Sequence, residues 1–593
     1  MSEPKPVLIY DGRCGFCRIW LDCWRQLTAD RIEYLASQAV GERFPQISGE
    51  AYSQSVQLVR PDGSVANGAR AVFESLGKEH IYPWISGPSE LAYRIIARHR
   101  DFFYQVTRFT FGRRIESTRF NATQWLFLRA LALIYAVAFG SLALQVSGLI
   151  GEHGVVPVTR FLATIARTGS PLRFLAVPSI LWFGADDITL VGLCFAGVIF
   201  SAMLFITGFA RGKFERLLLI LLFVLYLSFA SVGQEFLSFQ WDSLLLEAGF
   251  LAIFIGRGRI VPWLFRWLVF RLYFLSGAVK LLSGDPSWRN LSAVGFHWHT
   301  QPLPTALAWY ADKLPTGFQH FATAGTLGIE LAMPFLIFFP RRLRIFGAWC
   351  LIGLQVMILA TGNYAFFNLL TLALTLFLFD DQALARFVPV ANRERLSEGP
   401  EGRIARLSAM IVAGVVIVLG LSHMFETFTR RLPAPLNAVL RYTAPLQIVN
   451  TYGLFAVMTT QRIEIVVEGS ADGEHWQSYE FKYKPGDLNR PPLWVAPYQP
   501  RLDWQMWFAA LSDYRTNLWF VNLAIRLMQG SPEVLALLAT NPFPDQPPRY
   551  IRATAYEYTF TDFATRRRTG AWWKREPRGL YLPAVSLRPD GPQ

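Results

Sequence analysis

A series of long apolar segments between Trp125 and Phe425 constrains this 593-residue chain more than any other feature. A membrane-spanning helix needs roughly 20 consecutive apolar residues, and the chain provides such runs repeatedly, separated by short polar breaks. Hydrophobic residues make up 52% of the sequence and charged residues 17%. Soluble domains normally carry about 25% charged residues. The pattern therefore predicts a polytopic α-helical membrane domain.

The positions of the apolar runs predict about nine spans. They lie near residues 124–146, 188–208, 216–233, 243–256, 262–282, 321–339, 343–361, 363–380 and 405–425. The fourth run is shorter than a normal span, so a tilted or re-entrant segment is an alternative for it.

Basic residues predict the orientation of these spans, because Lys and Arg collect in the cytoplasmic loops of membrane proteins. One set of loops is rich in them: RGKFER (211–216), GRGR (256–259), PRRLR (340–344) and the stretch from Arg386 to Arg406. The opposite loops GQEFLSFQWD (233–242) and TGNY (361–364) contain neither residue. We therefore predict a cytoplasmic N-terminus and an exported C-terminus. The net charge of +14 is interpreted as this topology and not as nucleic-acid binding.

Two segments outside the spans read as separate domains. Residues 1–115 combine short strands with helices, which predicts an α/β domain, and MSEPKPVLIYDG at their start lacks the apolar core of a secretory signal. Residues 426–593 contain RIEIVVEGSADGEHWQSYEFKYKPG, an alternating pattern with an Ala-Asp-Gly turn that predicts a β-hairpin. The expected architecture there is β-sandwich-like with helical insertions. The membrane domain occupies 120–425.

Two cysteines with C-x-x-C spacing follow the first predicted strand, in VLIYDGRCGFC. A helix N-terminus lowers the pKa of a thiol placed there, so Cys14 is predicted to be the nucleophile. Cys17 would then resolve the mixed disulfide. Two alternatives stay open at this point. The pair could be half of a zinc site completed by Cys23, His80 or His99, or a relic without activity.

The same segment resembles the DCC-type thiol–disulfide oxidoreductases, a thioredoxin-like family, over about residues 5–113. The family motif Tyr/Phe-Asp-Gly-x-Cys-x-x-Cys is matched by Tyr10, Asp11, Gly12 and the two cysteines. The resemblance implies a thioredoxin-like fold, a redox-active dithiol as the only redox group, and a thiol redox partner. No proline precedes the predicted strand at 55–60, where thioredoxins have the cis-proline of the substrate groove, so substrate binding is expected to differ.

Polar residues in or beside the spans are the second group of candidates. Asp242 and Glu247 lie at the outer edge of two predicted spans. A carboxylate near lipid is costly, so each should cap a helix, pair with a cation such as Arg271 or Lys280, or face a cavity or partner.

The outer loop after the fifth span contains His297 and His299. On a strand the two imidazoles would share one face, and with Asp285 they would form a candidate metal site. The alternative is that both histidines are structural, and we predict no metal.

Several long motifs are similar to the lipase maturation factor family, in order from Trp125 to Leu587. They are FQWDSLLLEAGFLAIF, WRNLSAVGFHWHTQPLPTALAWYADKLP, IELAMPFLIFFPRR, TGNYAFFNLLTLAL, VVEGSADGEHWQSYEFKYKPGDLNRPP and PYQPRLDWQMWFAAL. The resemblance implies a membrane protein that assists the folding of exported lipases, with its C-terminal domain on the exported side. That side is the endoplasmic reticulum lumen in eukaryotic relatives. The fused thiol domain resembles a bacterial arrangement, so a bacterial inner membrane is expected.

The family has no agreed catalytic residues, so its motif positions are candidates only for structure or client binding. They are Trp241, Asp242, Glu247, His297, His299, Asn363, Tyr364, Asp503 and Trp504. The expected partners are membrane lipid, exported clients and a thiol redox partner, without nucleic acid. The alternative function is a membrane oxidoreductase or a vitamin-K-carboxylase-like enzyme with a quinone-type ligand. That enzyme would need a buried base, for which Lys280 or His297 is the candidate.

Overall fold

The computed structural model describes residues 5–40, 43–112, 120–207, 212–258, 260–387 and 402–587. The chain forms two compact units, Met1–Arg119 with Phe338–Phe346, and Phe120–Ile337 with Gly347–Gln593. The predicted boundary between residues 115 and 120 lies outside the described residues. So does most of the basic stretch between Arg386 and Arg406.

The first unit contains a small mixed sheet covered by helices. Its elements are β1 Val7–Tyr10, α1 Gly15–Thr28, β2 Glu33–Ala36, α2 Gly49–Gln54, β3 Gln57–Val59, β4 Val65–Asn67, α3 Gly68–Ser75, α4 Tyr82–Arg98 and α5 Arg100–Thr110. The strand order is β2-β1-β3-β4, with β1 parallel to β2 and antiparallel to β3, and β3 antiparallel to β4. Alternate side chains of β1 face opposite layers, Leu8 packing with Leu58 and Ile9 with Val59.

Two segments of this unit have helical patterns in the sequence: ARAVFESLG predicts a helix that ends at Gly77, and SELAYRIIARHRDFFYQVTRF predicts a single basic helix. The helix predicted at ARAVFESLG is α3, and Gly77 follows it at φ +67°, a conformation that glycine adopts without strain. The single basic helix expected for SELAYRIIARHRDFFYQVTRF is instead two helices, α4 and α5. His99 separates them because its φ and ψ of −120° and 42° are not helical.

The second unit begins with the apolar helices. Their bounds are α6 Asn121–Ala143, α7 Val146–Ile150, α8 Val158–Arg167, α9 Arg173–Ala176, α10 Asp187–Thr207, α11 Lys213–Val232, α12 Gln240–Ala252, α13 Ile260–Leu282, α14 Pro286–Arg289, α15 Ala293–Thr300, α16 Ala306–Asp312, α17 Thr316–Ala332, α18 Arg341–Thr361, α19 Phe367–Thr375, α20 Asp381–Leu384, α21 Arg403–Thr429 and α22 Ala434–Thr443.

In the described part of the chain, seven helices are long and apolar enough to cross a membrane. They are α6, α10, α11, α13, α17 with its extension to Phe338, α18 and α21. Each coincides with a predicted span. The other two predicted spans, 243–256 and 363–380, are shorter helices, α12 and the segment Phe367–Leu378. Helix length alone therefore supports seven of the nine predictions.

Hydrogen bonds join the residues that follow the two short helices to the first residues of long helices. Asp381, after α19, accepts hydrogen bonds from the N–H groups of Asn121 and Ala122, which begin α6 (2.9 and 2.8 Å). Arg257, shortly after α12, donates to Ser408 near the start of α21 (2.9 Å). Each short helix thus ends beside the first residues of a long one.

A glycine contact joins α6 to α10. A Cβ built on Gly197 of α10 would overlap the ring of the buried Phe139 of α6, whereas a Cβ on Gly192 of the same helix would meet nothing within 4 Å. Overpacking of this kind costs about 1–3 kcal/mol. Replacing glycine by alanine at an open helical position raises the stability of the helix by up to about 1 kcal/mol.

We therefore expect Gly197→Ala to lower the thermal unfolding midpoint of the detergent-purified protein, and Gly192→Ala to leave it unchanged or raise it. The two variants make the same chemical change in one helix, so each is the control for the other. Equal shifts of the midpoint would contradict the close packing of α6 and α10.

The C-terminal part contains one antiparallel sheet with helices. Its elements are β5 Arg462–Ser470, β6 Gln477–Phe481, α23 Arg501–Ala509, α24 Leu518–Met528, α25 Pro532–Leu535, β7 Leu538–Thr540, β8 Tyr550–Phe560, α26 Phe563–Thr569 and β9 Trp573–Ser586. The strand order is β7-β6-β5-β8-β9. The β5–β6 hairpin and the two helical insertions are confirmed.

The predicted β-sandwich is wrong for the described residues, because all five strands belong to one sheet. The helical insertions contribute the buried apolar groups that a second sheet would have contributed. Leu523 and Leu527 of α24 are buried, and almost every residue of α23 is buried as well.

Candidate functional site

Cys14 stands at the junction of β1 and α1, as its spacing predicts. The carbonyl of Cys14 accepts the first helical hydrogen bond, from the N–H of Arg18 (3.1 Å), so Cys14 is the N-cap residue of α1. The N–H of Cys17 points back to the Cys14 Sγ at 3.3 Å. A sulfur atom at an N-cap accepts hydrogen bonds from the free N–H groups of the first helical turn and lies beside the positive end of the helix dipole. Both thiols are free and half-buried.

The two thiols have opposite pKa shifts. A hydrogen bond from the Cys17 thiol lowers the pKa of Cys14 to about 6, against the opposing effect of burial, and the Cys17 N–H and the Arg100 guanidinium add to the lowering. The same bond, together with burial, raises the pKa of Cys17. The arrangement therefore supplies a thiolate at Cys14 and keeps Cys17 protonated, the division of roles that thiol–disulfide exchange requires.

The turn before the cysteines is held by groups from a distant segment. Gln38 donates to the Asp11 Oδ1 (3.1 Å) and accepts from the Gly12 N–H (3.1 Å). A Cβ on Gly12 would lie 3.0 Å from that of Ala36, so glycine permits this close approach. Tyr10 packs against the core that contains Leu8. The motif residues Tyr10, Asp11 and Gly12 thus fix the position of Cys14.

A cleft opens beside Cys17. It is lined mainly by rings from α1, α2 and α4, together with Asp11 and Arg100. Arg100 donates to the Gln54 carbonyl (2.7 Å) and lies 3.8 Å from the Asp11 carboxylate. The sequence interpretation did not single out Arg100, Gln38 or Tyr93. They are distant from the C-x-x-C motif along the chain, and the fold brings them to it.

Val56 precedes β3 and lines the same cleft. Its peptide N–H donates to the Tyr93 hydroxyl at 2.9 Å. A proline would have no such donor. The cleft wall at Val56 therefore includes a hydrogen bond that a proline could not make.

The second group of candidates lies where the C-terminal part meets the apolar helices. Arg501, the first residue of α23, is fully buried and donates to both carboxylate oxygens of Asp242 (2.9 and 3.1 Å). It also donates to the Phe236 carbonyl and the Tyr226 hydroxyl. Asp242 therefore pairs with the C-terminal part and not with Lys280, and Arg501 is a residue that the sequence interpretation missed.

Glu247 makes a parallel connection one turn further along α12. It forms a buried ion pair with Arg271, one of the two cations that the sequence offered as partners. It also accepts hydrogen bonds from the Tyr452 hydroxyl (2.7 Å) and the Asn450 N–H (2.8 Å). The Arg271 guanidinium donates in turn to the Asn450 carbonyl (2.9 Å). The segment before the C-terminal sheet is thus bonded to α12 and α13.

Three more candidates complete this contact. The Asn363 amide donates to the carbonyls of Leu303 and Leu493 (3.1 and 2.8 Å) and accepts from two N–H groups of the segment 495–496. Trp504 of α23 packs edge-on against Trp241 of α12, with ring centroids 4.6 Å apart. Both rings and the amide are buried.

Asp503 connects two segments of the C-terminal part. It is buried and accepts hydrogen bonds from the N–H groups of Tyr483 and Lys484 (2.8 and 2.9 Å). It therefore fixes the segment after β6 to α23.

The histidine pair does not form the candidate metal site. His297 and His299 lie on helix α15 and not on a strand, so their side chains diverge. His297 bonds the Tyr364 hydroxyl (2.9 Å), and His299 bonds Asp312 (3.0 Å). Asp285 caps α14 and accepts from the Met458 N–H. Among the described residues, no group of three His, Cys, Asp or Glu side chains is placed to hold a metal ion.

The candidate bases of the alternative enzyme are both engaged. The Lys280 ammonium pairs with the buried Glu330 (2.7 Å) and donates to the Ser276 carbonyl (3.1 Å). Burial lowers the pKa of His297 to about 3, so this imidazole is neutral at physiological pH. Its Nε2 is bonded to Tyr364, whose hydroxyl also donates to Gln301 (3.1 Å). This bonding favours structural roles for both residues.

Burial favours structure over client contact for most of the nine motif positions. Seven of them are almost completely buried, and the two histidines are partly buried. The seven are Trp241, Asp242, Glu247, Asn363, Tyr364, Asp503 and Trp504. Six of them lie where the helices meet the C-terminal part, and Asp503 joins two segments within that part.

Comparisons with known proteins agree with this two-part construction. Residues 122–386 match the lipase maturation factor transmembrane domain, and residues 448–583 match the lipase maturation factor C-terminal domain. No solved structure matches the chain.

Relatives that match over more than 500 residues include both the membrane domain and the C-terminal domain. Lipase maturation factor 2 of Gallus gallus is 35% identical over 586 residues, covering 78% of this chain and 81% of the relative. The Homo sapiens protein of the same name is 35% identical over 590 residues, covering 78% and 82%. Lipase maturation factor 1 of Bos taurus is 35% identical over 516 residues, covering 80% and 90%. This similarity confirms the predicted family, and the chain, a multi-pass membrane protein, belongs to the lipase maturation factor family.

Proposed function

We propose that this protein is a membrane-embedded maturation factor for exported lipases that carries a thiol–disulfide oxidoreductase domain at its N-terminus. The observation that carries the first part is the similarity to named lipase maturation factors across both the membrane and the C-terminal domains. The buried contacts of Arg501, Glu247 and Asn363 support it, because they make these two parts one folded body that would present a client-binding surface as a unit.

We further propose nine crossings, a cytoplasmic N-terminus and an exported C-terminal domain, in a bacterial inner membrane. The basic loops support this orientation. The contacts of Asp381 and Arg257 support the crossing of the two short helices, since both residues lie beside the first residues of long helices. Nine crossings and seven crossings both place the two termini on opposite sides of the membrane, because both numbers are odd.

The thioredoxin-like assignment of the N-terminal domain is supported by its topology and by its thiol pair. The domain has a mixed sheet of order β2-β1-β3-β4 with β1 parallel to β2, and Cys14 stands between β1 and the first helix, at the start of that helix. In the proposed reaction the Cys14 thiolate attacks a partner disulfide, forming a mixed disulfide and releasing one partner thiolate. Cys17 then loses its proton and attacks Cys14, which closes the intramolecular disulfide and releases the second partner thiol.

The proposed topology separates this chemistry from the client. Thiols on the cytoplasmic side cannot exchange with disulfides of an exported lipase, since exchange requires direct contact between sulfur atoms. The N-terminal domain is therefore a reductase or redox sensor on the inner side, and maturation itself proceeds through non-covalent binding on the outer side.

A co-expression experiment tests the maturation function. Cells that secrete a lipase are compared with and without this chain, and with Cys14→Ser/Cys17→Ser as the matched variant. We expect the intact chain to raise the activity per molecule of secreted lipase, and the double variant to keep most of that gain. An unchanged lipase activity in the presence of the intact chain would refute the maturation function.

The same cells test the sidedness of the thiols. Permeant and impermeant maleimides are applied to intact cells, and labelling of the Cys14 peptide is compared with the double variant. We expect only the permeant reagent to label it. Labelling by the impermeant reagent, combined with loss of lipase activity in the double variant, would instead support direct oxidation of exported lipases.

A further inference from the structure

An apolar stripe faces outward on α4 and α5, the last two helices of the N-terminal domain. We define the α4–α5 stripe as Leu91 and Ile95 of α4 and Phe102, Val106 and Phe109 of α5. Their exposed fractions are 53%, 47%, 63%, 39% and 68%. Spacings of three and four residues place each set on one side of its helix. Exposed apolar patches of this kind on a folded domain mark a binding surface.

The other side of the same helices builds the domain. Tyr93 bonds the Val56 peptide, and Arg100 lines the cleft beside Cys17. The ring of Tyr104 would lie 3.2 Å from a Cβ on Gly15, so α5 packs closely against the start of α1. Both helices thus have one side engaged in the fold and an apolar side without a partner in the described residues.

The position of α5 indicates what covers the stripe. Ten residues separate Thr110, the last residue of α5, from Asn121, the first residue of a candidate membrane span. A Cβ on Gly112 would lie 3.6 Å from the Nε of Arg342, the second residue of another candidate span. The C-terminal end of α5 is therefore close to where a span begins, at the level of a membrane surface.

The composition around the stripe is that of an interfacial helix. Arg94, Arg98 and Arg108 are exposed on the same two helices. Apolar groups flanked by basic residues favour a helix that lies in the plane of an anionic membrane surface, with its apolar side buried about 5–10 Å. Trp84, at the start of α4, is 88% exposed and is a residue type enriched at this interface.

We infer that the α4–α5 stripe lies on the lipid bilayer and anchors the thiol domain peripherally to the membrane from which the spans emerge. Helix α1 packs on the opposite side of α5, so about one helix diameter, roughly 10–12 Å, separates Cys14 from the lipid-facing side. If the proposed thiol exchange operates, its partner is therefore a membrane-associated protein. The lipid contact itself does not depend on that exchange.

The test uses the full chain in vesicles of zwitterionic and anionic phospholipid, with or without brominated acyl chains. A fluorescent amino acid is incorporated at one position at a time, at Phe102 or Phe109 of the stripe. The controls are Asp101, exposed but off the stripe, and Glu50, exposed on α2. All four side chains are exposed, so the substitutions leave the fold intact.

We expect brominated lipid to reduce the emission at Phe102 and Phe109 at least about twofold, and to leave the emission at Glu50 nearly unchanged. Asp101 should show an intermediate effect. Emission at the stripe that is quenched by aqueous iodide and not by brominated lipid would overturn the inference. Protection from both quenchers would also overturn it, because a protein, either a second copy or another partner, would then cover the stripe.

Discussion

Replacing Arg501 by alanine is expected to destabilise the protein by about 3–5 kcal/mol, because it leaves Asp242 as a buried and unpaired carboxylate. The guanidinium is fully buried and bonds both oxygens of Asp242, the Tyr226 hydroxyl and the Phe236 carbonyl. No exposed pair of this kind would give such an effect, since surface ion pairs contribute about 0–1 kcal/mol. The thermal unfolding midpoint of the detergent-purified variant measures the loss.

Two further variants make this prediction specific. Arg515→Ala removes an exposed arginine from the same C-terminal part and should change the midpoint little. The double variant Asp242→Leu/Arg501→Met replaces both charges by apolar groups, and it should be more stable than Arg501→Ala because no charge stays buried without a partner. If the single and double variants were equally destabilised, the ion pair would not be the cause.

The C-terminal part should also become accessible to protease in Arg501→Ala. The Arg501 side chain bonds the first helix of that part to Tyr226 of α11 and to Asp242 at the start of α12, so loss of the pair loosens that contact first. We expect limited proteolysis to release the C-terminal part earlier from Arg501→Ala than from Arg515→Ala.

Local sequence signals predicted the elements of the fold well. Apolar runs marked all the long helices, and an Ala-Asp-Gly turn marked the β5–β6 hairpin. Gly77 marked the end of α3 because a left-handed residue is a local requirement. The errors arose where a pattern was compatible with two structures. His297 and His299 have a spacing that fits one strand face, yet the apolar residues around them form a helix.

Partners distant in the chain could not be predicted in the same way. Asp242 and Arg501 are 259 residues apart, and nothing in either neighbourhood identifies the other. The physical argument required that Asp242 have some cation and could not say which. Glu247 and Arg271 were easier, since they lie on consecutive apolar segments. The motif residues of the thiol site were predictable, whereas Gln38, Tyr93 and Arg100 around it depended on the tertiary fold.

The second large effect concerns the reactivity of Cys14. A pKa of about 6 makes roughly 90% of this thiol ionised at pH 7, whereas an ordinary cysteine, with a pKa near 8.5, is only about 3% ionised. Only the thiolate reacts with an alkylating reagent. We therefore expect the alkylation rate of Cys14 in the reduced protein to rise with pH and to reach half of its maximum near pH 6. Quantifying the Cys14 peptide by mass spectrometry measures that rate.

Three substitutions rank the causes of this low pKa. Cys17→Ala removes the hydrogen bond that contributes most, so the half-maximal pH should rise furthest in this variant. Arg100→Ala removes a smaller electrostatic contribution and should raise it less. Arg94→Ala, an exposed arginine of α4, is the matched control and should leave it unchanged. Equal rises for the two arginine variants would mean that net charge, and not the position of Arg100 beside the thiols, sets the pKa. A half-maximal pH near 8.5 in the unmodified protein would show that Cys14 is an ordinary thiol and would remove the chemical basis of the proposed reductase or sensor.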